Sequence, residues 1–251
     1  MNRIYKILIG LLISTTVYGQ QVDELKIEAD SAYLLGNYAQ AAEIYEQMLK
    51  QGESAEVYYN LGNAYYKSDE IAKAILNYER ALLLTPNNSD LKSNLEIARA
   101  KTIDKEVQIP DIFFVAWVKT WIHSCPMYTW AIWGILTFWV MLLALCFYFF
   151  SKQILWKKIG FFTAAICLIL TISCNLFAHS LKKELLIRNQ AIVLSPSVTV
   201  RSTPSESGTS LFILHEGHKV EIKDNSMKEW KEIRLENDRV GWVPASSIEV
   251  I

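Results

Sequence analysis

Residues 55–88 read AEVYYNLGNAYYKSDEIAKAILNYERALLLTPNN, and two apolar stripes in them have the spacing of an α-helix. Members of the first stripe recur at i, i+3, i+4 and i+7, which places them on one face of a helix. Small Gly62 lets a second helix approach closely opposite Ala74, and Pro86 then ends that helix. The predicted unit is two packed helices, with facing stripes of Tyr58, Leu61, Gly62 and Tyr65 against Ala74, Tyr78 and Ala81.

A weaker copy of this unit precedes it at an offset of 33 residues, so that Leu25 aligns with Tyr58. The first copy departs from the pattern because Glu28 stands where Leu61 does. Terminal units of repeat arrays are often atypical, since one of their faces meets water instead of a neighbour. The sequence therefore predicts two repeats, and Ser89 or Asp90 can cap a third helix that runs to about Lys101.

A period of 33 to 34 residues with two helices per unit is typical of tetratricopeptide repeats. The second copy resembles that family at Tyr58, Leu61, Gly62, Tyr65, Ala74, Tyr78, Ala81 and Pro86. The resemblance implies an all-α array of two repeats plus a capping helix over residues 20–104. Such an array is small, so we expect it to need support from the membrane or a partner.

Two long stretches of the chain contain no Lys, Arg, Asp or Glu: Thr120–Ser151 and Gly160–Leu181. Residues 127–150 would extend about 36 Å as a helix, enough to cross a hydrocarbon core of about 30 Å. We predict transmembrane helices at 127–150 and 159–179. The connector, residues 151–158, is rich in Lys and free of acids, which favours the cytoplasmic side.

The N-terminus has the pattern of a secretory signal peptide over residues 1–19: Arg3 and Lys6, then the apolar run Ile7–Ile13, then small residues. Export followed by two spans predicts an inner-membrane protein whose two soluble parts both face the periplasm. Residues 105–126 read as a linker and an interfacial amphipathic segment in contact with membrane lipid. The alternative, a longer spanning helix, is disfavoured by Pro126.

From about residue 190 the chain consists of short runs of β-branched residues separated by polar or Gly-containing turns, which predicts a small β-barrel. Residues 190–251 resemble a bacterial SH3 domain at Val198–Arg201, Gly217, Val220, Trp230 and the closing Arg239–Ser246. The predicted fold class is thus a multidomain membrane protein: an all-α tetratricopeptide array, a transmembrane hairpin and an all-β SH3-like barrel.

Alternation along the strands assigns a set of residues to the barrel core. Trp230 and Trp242 have two interpretations, packing residues or a platform for a ligand, of which packing is the commoner role for such residues. The remaining core set is Val198, Val200, Leu211, Ile213, Val220, Ile222, Ile233, Val240 and Val243.

The sequence contains no catalytic motif: Gly-x-Ser-x-Gly, Gly-x-x-x-x-Gly-Lys and His-Glu-x-x-His are absent. Two histidines in His215–His218 can offer nitrogens to zinc, but a tight turn at Gly217 is the better interpretation. We therefore predict no catalytic residue, no metal and no cofactor. A net charge of −1 gives no reason to expect a nucleic-acid partner. The cysteines are expected to be buried, inert thiols: Cys125, Cys146, Cys167 and Cys174.

Binding is better supported than catalysis. One face of the second repeat and third helix carries aromatic, amide and ammonium groups that suit an extended peptide or a chain-terminal carboxylate. An ordinary polar helix face remains the alternative. The candidate peptide-binding residues are Tyr59, Asn60, Asn63, Tyr66, Lys67 and Asn94.

The order of signal peptide, tetratricopeptide repeats, two spans and bacterial SH3 domain resembles the BatE-type proteins of Bacteroides aerotolerance (Bat) operons. That resemblance implies other Bat proteins as partners, including von Willebrand factor A-type membrane proteins and a MoxR-type cytoplasmic ATPase, and a link to oxidative or envelope stress. The residues themselves indicate a non-enzymatic membrane adaptor. Two alternatives are a cell-wall peptidoglycan anchor or sensor that binds through Trp230 and Trp242, and a regulatory subunit of an envelope hydrolase.

Overall fold

The computed structural model describes residues 24–104 and 112–251. The predicted signal peptide and part of the predicted linker lie outside these residues. The described chain forms two compact units. One unit comprises residues 24–84, 88–104 and 189–251, and the other comprises residues 85–87 and 112–188.

Five helices form the array in the first unit, as the repeat pattern predicts. The third helix is capped by the side chain of Asn88, whose Oδ1 accepts from the backbone N–H of Leu91 at 3.0 Å. The predicted cap at Ser89 or Asp90 is wrong, because both residues already belong to the first helical turn. The helices are α1 (24–34), α2 (Tyr38–Leu49), α3 (Ala55–Lys67), α4 (Ile71–Leu84) and α5 (Ser89–Ala100).

Gly62 allows the close contact between α3 and α4. A Cβ atom on Gly62 would lie 2.6 Å from Cδ1 of Tyr78 and 3.3 Å from the carbonyl oxygen of Ala74. The Tyr78 ring is fully buried, and its hydroxyl donates to Oδ1 of Asn63 at 2.7 Å. The predicted close approach opposite Ala74 is confirmed, with the Tyr78 ring as the nearest neighbour.

The second unit contains helices α6 (Phe113–Ile122), α7 (Met127–Phe150) and α8 (Ile154–Leu186). Pro126 caps α7, so α6 and α7 are separate helices and do not form one longer span. Helix α8 has 33 residues, about 50 Å, and extends beyond the predicted span 159–179 at both ends. Only residues 151–153 of the predicted connector 151–158 are non-helical. Helix α8 begins at Ile154, before the apolar stretch, because lysine is a good helix former.

Helices α7 and α8 are long and apolar enough to cross a membrane. Only 11% and 17% of their most apolar stretches are buried, so the rest of the protein leaves most of this apolar surface uncovered. They pack together through small residues: a Cβ on Gly160 would lie 2.8 Å from the carbonyl oxygen of Ala144. The hydroxyls of Thr137 and Thr171 are 2.9 Å apart across the pair. Close backbone approach and hydroxyl pairing are how helices associate in lipid.

The C-terminal part is an antiparallel sheet of seven strands in the order β3-β2-β6-β5-β4-β1-β7. A 3₁₀ turn, Ala245–Ser247, precedes the last strand. Helices, hairpin and sheet together confirm the predicted fold class. The strands are β1 (Gln190–Val193), β2 (Ser197–Arg201), β3 (Ser210–His215), β4 (Lys219–Asp224), β5 (Trp230–Arg234), β6 (Val240–Pro244) and β7 (Ile248–Val250).

The predicted barrel core is wrong at three positions, which are exposed in the structure and not buried. Val198 and Val200 of β2 are buried, and the β3 residues directly opposite them are Leu214 and Phe212. Opposite residues in an antiparallel pair share a face, so these two turn inward and their neighbours turn away. The exposed residues are Leu211 at 45%, Ile213 at 56% and Val240 at 38%.

The array and the sheet share one hydrophobic cluster inside the first unit. Ile192 of β1 and Ile251, directly after β7, are buried in the same cluster as Ile75 of α4. Beside them, Glu79 of α4 is only 4% exposed, and Nζ of Lys219 lies 2.8 Å from its Oε2. The two soluble parts are therefore packed on each other, although the hairpin separates them in sequence.

Replacing Gly62 by Leu should destabilise the array, because the added side chain displaces the buried Tyr78 ring. Overpacking of this kind costs about 1–3 kcal/mol, and each kcal/mol lowers the unfolding midpoint of a unit of this size by about 2–4 °C. Scanning calorimetry of the full chain in detergent measures the shift. The control is Gly52→Leu, since nothing lies within 4 Å of a Cβ at Gly52. Equal midpoints for the two variants would contradict the close contact.

Candidate functional site

The predicted binding face is carried by α3 and α5. Most of its six side chains are half-buried, and only the Lys67 side chain is largely exposed. The face is therefore partly set into the array and not a row of freely solvated side chains. We call it the α3/α5 face; it consists of Tyr59, Asn60, Asn63, Tyr66, Lys67 and Asn94.

Three of the six residues are joined by hydrogen bonds. Nδ2 of Asn94 donates to the Tyr59 hydroxyl at 2.9 Å and lies 3.2 Å from Oδ1 of Asn63. The same Asn63 oxygen accepts from the Tyr78 hydroxyl. Burial, and after it the neighbouring Tyr59, raises the pKa of Tyr78, so the Tyr78 hydroxyl keeps its proton and remains a donor. These residues form a fixed floor, because their polar atoms already satisfy one another.

The other members of the face keep their polar groups available. Within the described ranges, no hydrogen bond or ion pair engages the side chain of Asn60 or Lys67. An amide and an ammonium beside a satisfied floor can bind backbone carbonyls and a carboxylate of an extended peptide.

Lys101, the C-cap residue of α5, lies beside this face and was missed by the sequence analysis. It follows Lys67 by one repeat period, as Asn94 follows Asn60, and that spacing was the available signal. Nζ of Lys101 lies 4.4 Å from the centroid of the Tyr66 ring and 3.4 Å from Oδ1 of Asp69. The cation–π contact holds a second ammonium at the same end of the face as Lys67.

The first repeat extends the face with apolar side chains. Ile27 and Leu34 occupy the positions of Asn60 and Lys67 one repeat earlier, and they are 67% and 85% exposed. Both were left out of the predicted site because the first copy of the motif is weak. The face thus changes from apolar in the first repeat to amide and ammonium groups in the second.

Trp230 and Trp242 lie on the adjacent strands β5 and β6 and are both half-buried. Glu232 is the residue opposite Trp242 in the register of β5 and β6. Each ring therefore keeps part of its surface in solvent, which is available for stacking.

The His215–His218 segment is a turn, as predicted: Gly217 has φ +82°, a conformation that favours glycine. Nδ1 of His215 lies 3.0 Å from Oδ1 of Asp104, and its backbone N–H donates to Oδ2 at 2.7 Å. Burial alone would raise the pKa of Asp104, but these bonds from His215 outweigh it and hold that pKa low. Among the described residues, no group of three or more His, Cys, Asp or Glu is arranged to hold a metal.

The cysteines are all free thiols. Cys167 and Cys174 are buried as predicted. The prediction is wrong for Cys146, which is exposed, and Cys125 is only partly buried. Cys146 lines a cavity together with Phe150 of α7 and Trp156 of α8.

Two families match this chain. The tetratricopeptide repeat matches residues 55–88, which are the second repeat, and the bacterial SH3 domain matches residues 196–249, which are most of the sheet. Comparison with curated proteins gives no significant match. Both matching families are non-catalytic binding domains, which indicates binding as the role of the two segments that they match.

Proposed function

We propose that this protein is a membrane-anchored, non-enzymatic adaptor of a Bat-type complex linked to aerotolerance or envelope stress. It presents its tetratricopeptide repeats and its SH3-like domain in the periplasm, on the outer side of the inner membrane. The observation that carries the proposal is the packing of two binding modules into one unit, although a membrane hairpin lies between them in the chain.

The packing supports a common side for both modules. Two modules in contact lie on the same side of a membrane, which requires an even number of spans between them; α7 and α8 provide two. The signal-peptide pattern favours the periplasm as that side. Lys152 in the short connector favours the cytoplasm for the other end of the hairpin.

The α3/α5 face supports peptide capture. Apolar Ile27 and Leu34 can contact hydrophobic side chains of a partner, and Asn60 can bind its backbone. Lys67 and Lys101 then attract a carboxylate at the far end. The proposed ligand is an extended peptide segment of a partner protein, by resemblance another Bat protein of the von Willebrand factor A type.

A second candidate function is cell-wall binding through the SH3-like domain. It is favoured by the partly exposed rings of Trp230 and Trp242, which lie on strands other than those that contact the array. Aromatic rings of this kind can stack on the faces of sugars or peptides of peptidoglycan.

Replacing Asn60 and Lys67 together by Ala should weaken partner capture about tenfold, because both groups are available and neither supports the fold. Stability should change by less than about 0.5 kcal/mol. Crosslinking in membranes followed by mass spectrometry measures capture. The matched control is the exposed pair Asn37→Ala and Lys50→Ala. Unchanged capture at normal protein levels would contradict a role for this face.

The topology predicts a specific labelling pattern. In a chain whose native cysteines are replaced, a cysteine at exposed Ser207 should react with a membrane-impermeant maleimide added from the periplasmic side. A cysteine at Gln153, between α7 and α8, should react only after the membrane is opened. The reverse pattern would show that the modules face the cytoplasm.

A further inference from the structure

The outer face of α4 is where the next repeat of an array would pack. In the first repeat, Glu46 of α2 accepts a hydrogen bond from the Tyr65 hydroxyl of the following repeat. One period later, Glu79 of α4 accepts from the Arg99 guanidinium of α5 in the same way. Helix α5 thus occupies the place of the first helix of a third repeat. A third repeat would also bring a second helix against α4.

The SH3-like domain lies at that second position. The turn at Gly217 is so close to the array that a Cβ there would lie 2.6 Å from Cγ2 of Thr102 and 3.0 Å from Cδ1 of Ile75. Ile192 and Ile251 complete the cover, since both are buried in the cluster of the array. Ile75 itself is fully buried as a result.

Charged groups surround this apolar contact. Glu79 is held from both modules, by Arg99 of α5 and by Lys219 of β4. One guanidinium nitrogen of Arg80 lies 2.9 Å from Oε1 of Glu249 and 2.5 Å from the carbonyl oxygen of Val250. A buried carboxylate with two cationic partners indicates a specific interface, because an unpaired one would be strongly destabilising.

We infer that the SH3-like domain is the terminal cap of the tetratricopeptide array and substitutes for the second helix of a third repeat. Arrays of fewer than three repeats bury too little apolar surface to be stable alone, and their ends require a capping element. The capping surface consists of β1, β7 and the turn between β3 and β4, and its partner is α4 of the same chain.

The cap restricts where external partners bind. It closes the outer face of α4 and leaves the α3/α5 face and the strands of Trp230 and Trp242 available. The cap forms within one chain whatever either surface binds, so loss of the cap and loss of the adaptor function can be told apart.

Hydrogen exchange of the full chain in detergent tests the cap. Lys219→Glu puts a second carboxylate beside buried Glu79, and amides in α4 should exchange about tenfold faster. Amides in β2 and β3 should keep their protection, which shows that the SH3-like domain remains folded. The matched control is Lys223→Glu on the same strand, whose side chain is exposed. Unchanged protection of α4, or the same loss with Lys223→Glu, would overturn the inference.

If Lys219→Glu unfolds the sheet, the cap can be tested instead by exchanging the charges of Arg80 and Glu249. Arg80→Glu alone should increase α4 exchange several-fold, and the addition of Glu249→Arg should restore most of the protection. Since the contact to the Val250 carbonyl remains lost, full recovery is not expected. An increase that Glu249→Arg does not reduce would mean that the two side chains do not meet, and the cap would be wrong.

Discussion

The buried carboxylate of Glu79 is the interaction on which the arrangement of the soluble modules depends. Removal of a carboxylate from water costs several kcal/mol, and the cost is offset only if charged partners are in place. Arg99 provides one partner from the array, and Lys219 provides the other from the SH3-like domain. Because one partner comes from each module, the packing that buries this carboxylate also brings its second cation into place.

Because the two modules pack into one unit, the hairpin of α7 and α8 is an insertion between two parts of that unit. The hairpin has its own means of association, the close backbone approach at Gly160 and the hydroxyl pair of Thr137 and Thr171. Packing within the hairpin and packing between the modules are therefore separate sources of stability. Helices α3 and α5, which carry the proposed binding face, belong to the unit that the two modules form together.

Much of the fold could be predicted from the sequence because periodic patterns encode it. The stripe around Gly62 predicts the packed pair of helices, and uncharged stretches predict α7. Where the pattern is ambiguous, prediction fails: in Ser210–His215 the four central residues are all apolar, so the inward and outward positions of β3 cannot be distinguished. Only the pairing of Leu214 with Val198 identifies them.

A related limit applies to the proposed binding face. Asn60 and Lys67 belong to the strong second repeat, whereas Ile27 belongs to the weak first one, and Lys101 lies where the motif has already ended. Contacts between modules, such as Glu79 with Lys219, join residues far apart in sequence and leave no periodic signal. Such contacts can be identified only from the folded chain.

A disulfide between cysteines at Arg80 and Glu249 would show whether the SH3-like domain packs on α4 of its own chain. The full-length chain, without native cysteines and with a protease site at 151–153, is oxidised in membranes, cleaved and separated in SDS. We expect the two halves to stay linked as one chain, whereas cysteines at Lys67 and Glu249 should leave them separate. If the halves separate for both cysteine pairs, the two modules are not in contact at Arg80 and Glu249. A product with the mass of two chains would mean that the contact joins two molecules and not the modules of one chain.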